Sequence, residues 1–104
     1  MPTATEGTIE SMIKLKGLNA PRLTPEHIDS CIASYEYHIF ADTQLTVCCI
    51  TLKNGFTVTG ESACASPANF DREIGENIAF TNAREKIWAL EGYLLKQRLY
   101  EETV

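Results

Sequence analysis

The stretch from Asp71 to about Glu101 reads as a single helix, and its length constrains this chain more than any other feature. Thirty helical residues span roughly 45 Å. A compact domain of this size has a radius of gyration of only about 13 Å. Such a helix must break, or it must protrude and pack against something else. Its sequence, "FTNAREKIWALEGYLLKQRL" over residues 80 to 99, carries two apolar stripes rather than one. On a helical wheel, Ala79, Ala83, Ile87, Leu90 and Leu94 form the first. Ile74, Ile78, Trp88, Gly92, Leu95 and Leu99 form the second on nearly the opposite side, with Thr81 and Glu85 in the same row. Covering one small sheet needs one stripe, so two stripes need two partners. This pattern favours self-association, with Gly92 letting a second helix cross closely. The alternative is a kink at Gly92 that folds the last ten residues back onto the same subunit.

Upstream, "LTPEHIDSCIASYE" has a clear helix start. Thr24 suits the N-cap, Pro25 the first helical position and Glu26 the first turn. Ile28, Cys31 and Ile32 share one face, so a helix is expected from about 25 to 34. The period then changes to two. "YEYHIFA", "QLTVCCITL" and "FTVTGESAC" read as three consecutive strands. Asn54-Gly55, between the last two, predicts a two-residue type I′ turn. That turn would pair Lys53 with Phe56, Thr51 with Val58 and Cys49 with Gly60. Leu45, Val47, Cys49, Phe56 and Val58 would then face the core. Cys48, Ile50 and Leu52 would lie on a second, partly covered face with Thr57, Thr59 and Glu61. Gly60 signals a bulge or a close backbone approach.

The expected class is α+β: a three-stranded antiparallel β-meander with an N-terminal helix and a long C-terminal helix used for oligomerisation. Residues 1–22 read as an N-terminal arm, with residues 1–8 mobile and at most a helical turn or two beyond them. Residues 23–104 read as a single α+β domain.

Hydrophobic residues make up 44% and charged residues 22%, which excludes a disordered chain. No apolar run approaches membrane-spanning length, and "MPTATEGTIE" shows no secretory signal. A net charge of −5 argues against duplex nucleic acid as a partner but leaves room for a small anion held by local arginines. Cys31, Cys48, Cys49 and Cys64 lack zinc-finger spacing and read as reduced thiols of a cytosolic protein, so no metal site is expected.

Enzyme signatures are weak. There is no nucleophile elbow, P-loop, dinucleotide fingerprint or zincin motif. His27 and His38 are the only histidines. Glu61 could serve as a general base but reads better as a solvated residue or ion-pair partner. No catalytic residue and no cofactor are expected.

A binding row is more suggestive. Asn77, Arg84, Glu91 and Arg98 recur every seven residues on a flank between the two stripes, and five of the nine basic residues lie in this helix. Arginine forks bind phosphate oxygens bidentately. Phe70, Asn77 and Asn82 could stack on and read a purine. The competing reading is a solvated flank, with Glu91 paired to Lys96 or Arg98.

"KGLNAPRLTPEHI", "LKNGFTVTGESACASPANFDREIG" and "NAREKIWALEGYLL" together resemble a family of short tailed-phage proteins. That family in turn resembles the first Thoeris anti-defence family, the phage sponge proteins. The resemblance covers about residues 14 to 99 and is most specific from Asn54 to Gly75. It implies sequestration, without cleavage, of cyclic ADP-ribose-type signals made by bacterial TIR-domain enzymes. For some members it also implies capture of the cyclic oligonucleotides of CBASS defence. It further implies a homo-oligomer, dimer or hexamer, in the cytoplasm of the infected host. The matching motifs contain Phe70, Arg72, Asn82 and Arg84, and Arg98 lies just beyond them. With Asn77 from the seven-residue row, these are the expected ligand-binding residues. The alternative is a small structural or regulatory phage protein acting through protein contacts.

Overall fold

A computed structural model describes residues 5–103. The expected mobility of residues 1–8 falls partly on residues 1–4, outside the described residues, as does Val104 at the end of the expected domain. The elements run α1 (Glu6–Leu15), α2 (Pro25–Ser30), β1 (Ile32–Ile39), β2 (Leu45–Leu52), β3 (Thr57–Ala63), a 3-10 turn (Pro67–Asn69) and α3 (Arg72–Glu102). The sheet is antiparallel in the order β1-β2-β3, a meander whose buried face packs against α2 and α3, so the class is α+β.

Local chemistry sets the helix starts. Asp71 caps α3 by accepting from the Ile74 amide at 3.0 Å, and Thr24 caps α2 from His27 at 3.1 Å. Caps of this kind contribute about 1 kcal/mol. α3 continues unbroken through Gly92 for 31 residues, so the kinked alternative is not what forms. The molecule is elongated accordingly, with a radius of gyration of 16.9 Å and extents of 54 × 33 × 19 Å.

Two helix expectations change. α1 has 10 residues, more than the turn or two expected of the arm, and Thr5 caps it from the Thr8 amide. α2 stops at Ser30 rather than near 34. Ile32 is β-branched and pairs with Leu52, while the Cys31 carbonyl accepts from the Lys53 amide at 2.9 Å. The sheet therefore captures the residues that would have extended the helix.

The β2–β3 register is one residue away from the expected one. Thr51 pairs with Thr57, Ile50 with Val58 and Cys48 with Gly60. The hairpin has three loop residues: Gly55 N–H donates to the Leu52 carbonyl at 2.9 Å, and Leu52 N–H to that of Phe56 at 2.8 Å. Only Gly55 takes a positive φ, 90°, and Asn54 instead accepts from the Phe56 amide at 3.0 Å. This is the longer loop with a glycine bulge, which needs one left-handed residue where the I′ turn needs two.

A one-residue slip inverts a strand's faces. Thr46, Cys48, Ile50 and Leu52 are the buried residues of β2, while Leu45, Val47 and Cys49 lie on the half-exposed face. Val58 is buried as expected, but Phe56 is exposed at the hairpin end. The core joins Ile28, Cys48, Ile50, Leu52 and Val58 to Ala79, Ala83 and Ile87 of α3. Each buried isoleucine contributes about 1.5–3 kcal/mol. The first stripe of α3 is thus the core stripe where it overlies the sheet, and Leu90 and Leu94 extend beyond it, partly exposed.

Candidate functional site

Three helices meet at Arg84. Its Nη1 donates to Glu6 Oε2 of α1 at 2.7 Å, its Nε to Asp29 Oδ1 of α2 at 2.8 Å, and its Nη2 to the Pro25 carbonyl at 3.3 Å. One turn further on, the Trp88 indole N–H donates to the same Glu6 oxygen at 3.1 Å. Burial opposes the Arg84 charge, but hydrogen bonds to Glu6 and Asp29 outweigh it and raise its pKa above the ordinary value. A second tie, Arg22 to Glu10 at 2.7 Å, fastens α1 to the segment before α2.

These ties split the second stripe of α3. Its middle is covered by the chain's own N-terminal segment: Trp88 lines a groove with Ile9, Ile13 and Leu23, and Gly92 faces Leu23. Its beginning is not covered. Ile74 and Ile78 are 59% and 46% exposed. They line a shallow pocket of about 110 Å³ with Phe70, Asn69, Asp71 and Cys64.

The six expected ligand residues do not gather in one place within a single chain. Phe70 lies in that shallow pocket, and Arg98 lines another of about 200 Å³ with Arg22, His27, Glu91 and Leu95. Arg72 and Arg98 stand about 39 Å apart along α3. Arg72 is well exposed and pairs with Glu76 at 3.3 Å, and Asn77 is exposed. Asn82 donates to the Glu61 carbonyl at 2.9 Å, joining α3 to edge strand β3. Arg84 is engaged by two carboxylates, so a phosphate would have to displace one of them. The groove beneath Trp88, about 340 Å³, is bordered by Glu6, Glu10 and Glu85, which disfavours an anion.

A constellation absent from the expected site lies between α2 and α3. His27 Nε2 is 2.8 Å from Glu91 Oε1, and the Cys31 thiol donates to the same oxygen at 3.3 Å. Cys31 Sγ lies 3.8 Å from His27 Nε2. The His27 hydrogen bond holds the Glu91 pKa below the ordinary carboxylate value against the effect of burial; Cys31 and Arg98 act in the same direction. Burial raises the Cys31 pKa, helped by the hydrogen bond and charge of Glu91. Glu91 therefore pairs with His27, not with Lys96 or Arg98. A local signal exists for two of the three: His27 and Cys31 are four residues apart, one turn on the same face. Glu91 is 64 residues from His27, and only the docking of α2 on α3 reveals it.

The phage protein (N4 Gp49/phage Sf6 gene 66) family model matches residues 23–99. The chain belongs to this phage protein family. The family match spans α2, the whole sheet and α3 as far as Leu99, with every residue discussed above except those of α1 and the segment up to Arg22. No curated protein and no solved structure matches the chain. Among the described residues of this family member, no helix is long and apolar enough to cross a membrane.

Proposed function

We propose that this phage protein is an anti-defence sponge that captures cyclic ADP-ribose-type immune signals in the host cytoplasm, one for one, and cleaves nothing. The resemblance of its motifs to the Thoeris sponges suggests the ligand class. The observation that carries the reading is the exposure of Ile74 and Ile78 beside Phe70, in a pocket too small to enclose a nucleotide. Ligand sites of that size need about 300–1,000 Å³. A sponge must hold its signal at nanomolar Kd, roughly 12 kcal/mol, which a charged ligand reaches only when enclosed.

A second copy lying antiparallel along α3 would supply the missing wall. It would cover Ile74 and Ile78, and it would bring one Arg98 towards the Phe70, Arg72 and Asn77 of the other copy. That arrangement unites arginines that stand far apart within one chain. No cofactor takes part, and the same assembly could offer separate sites to cyclic oligonucleotides.

Native mass spectrometry after incubation with a mixture of defence nucleotides tests the proposal. The expected result is a dimer or hexamer retaining a cyclic ADP-ribose isomer of unaltered mass. Phe70→Ala and Arg98→Ala should lose the ligand and keep the assembly, whereas Ile74→Glu with Ile78→Glu should lose both. A monomer that retains no nucleotide, or recovery of a hydrolysed ligand, refutes the reading. Arg84→Ala is not a clean probe, because Arg84 also fastens α1 and α2.

The competing function is a small structural or regulatory phage protein that binds another protein. The exposure of Ile9, Met12 and Leu15 on α1 favours it, with Leu15 at 87%. Retention of a stoichiometric host protein with no nucleotide would support it instead.

A further inference from the structure

The His27, Cys31 and Glu91 side chains converge on a single point, and that geometry separates two chemistries. In a nucleophile–base relay, the imidazole uses one nitrogen for the thiol and the other for the carboxylate. Here Nε2 alone faces both Cys31 Sγ and Glu91 Oε1. One nitrogen cannot take the thiol proton while donating to the carboxylate, so the arrangement is a poor catalytic triad.

It is a good ligand set. The three donor atoms are 2.8, 3.3 and 3.8 Å apart and lie within 4.8 Å of one another. Tetrahedral zinc, with bonds of about 2.0–2.3 Å, sets such donors roughly 3.4–3.6 Å apart. A triangle with the observed sides has a circumscribed radius of about 2 Å, so a cation can reach all three donors from just outside their plane. Sulfur, nitrogen and a single carboxylate oxygen suit zinc and its first-row neighbours, not calcium or magnesium.

We infer that His27, Cys31 and Glu91 form a three-ligand site for a divalent transition cation of the zinc class, joining the end of α2 to α3. Binding replaces the Cys31 thiol proton, which passes to solvent. Three protein ligands leave a fourth position for water or an anion. Glu91 lines grooves on both sides of the cluster, one with Arg98 and the other with Lys53, so an anion at that position would meet a cationic side chain from either direction. His27 is 45% exposed, which gives the cation a way in. The site is independent of the sponge reading: it needs neither a nucleotide nor a second copy.

The test uses the full chain, stripped with a chelator and titrated with Co²⁺ and then Zn²⁺. One equivalent of Co²⁺ should produce thiolate-to-cobalt charge transfer and the intense visible bands of tetrahedral cobalt, and Zn²⁺ should bleach both. Cys31→Ser should remove the charge-transfer band, while His27→Gln and Glu91→Gln should each weaken binding at least tenfold. In the wild-type chain, Zn²⁺ should slow alkylation of Cys31 at least tenfold and leave Cys64 unchanged, read by peptide mass. That measurement decides alone if Cys31→Ser does not fold. A charge-transfer band that persists in Cys31→Ser, or Cys31 alkylation indifferent to Zn²⁺, overturns the inference.

Discussion

Gly60 of β3 lies directly against the backbone of Ala83 in α3. A Cβ at position 60 would meet Ala79, Asn82 and Ala83 backbone atoms at 2.8 Å or less. The helix reaches this depth because its facing residues, Ala79 and Ala83, are small and fully buried. Gly60→Ala should push α3 away from the sheet and cost about 3 kcal/mol or more, since backbone cannot yield as a side chain does. Urea unfolding measures this, and a loss below about 1 kcal/mol would mean that α3 does not pack as described.

Glu6 accepts from both Arg84 and Trp88, so it holds α1 on α3. Glu6→Gln should weaken this hold by about 1–2 kcal/mol, the lower part of the range for charge-assisted bonds because the carboxylate is partly exposed. Trp88 is the only tryptophan, so its fluorescence reports the release directly. The emission should shift to longer wavelength in Glu6→Gln with the helical circular dichroism nearly unchanged. An unshifted spectrum would show that α1 is held by other contacts.

Thr46 is fully buried beneath Gly75 of α3, and its hydroxyl has no hydrogen-bond partner among the described residues. An unsatisfied buried hydroxyl costs about 1–3 kcal/mol. Thr46→Val removes the hydroxyl at similar shape and should stabilise the fold by about 1 kcal/mol, seen as a higher urea midpoint at unchanged slope. A lower midpoint would mean that the hydroxyl is satisfied in solution.

The Cys48 thiol is pushed up to about 11 from an ordinary 9.0, chiefly by burial and then by the neighbouring Cys49 and Glu76. The folded state therefore holds this proton more tightly than the unfolded one. Stability from this source is complete below pH 9 and is lost as pH rises from 9 towards 11, up to about 2–3 kcal/mol. Tyr37, also raised by burial, adds to the decline at the upper end of that range. Unfolding midpoints measured from pH 8 to 11 should fall, and should fall less steeply in Cys48→Ala. Equal slopes in the two proteins would remove Cys48 as the cause.

The amino-acid sequence alone determined the elements that depend on neighbouring residues. Asp71 and Thr24 cap their helices, runs of β-branched and aromatic residues mark the strands, and a 31-residue helix without proline forms because nothing within it interrupts the ladder. The seven-residue row was equally legible, but not the partners of its members: Arg84 and Glu91 are claimed by Glu6, Asp29, His27 and Cys31, residues remote in the chain. Tertiary packing also decided the register. The two faces of β2, Leu45-Val47-Cys49 and Cys48-Ile50-Leu52, are nearly equal in apolar character, so periodicity could not choose between them. What differs between the two registers is the β2 residue set beside Val58 on the helix-facing side: Ile50 in the observed pairing, Thr51 in the alternative. Close packing over distance made that selection, because only the observed register adds the isoleucine of β2 to Val58 in the core that Ala79 and Ala83 close over Gly60.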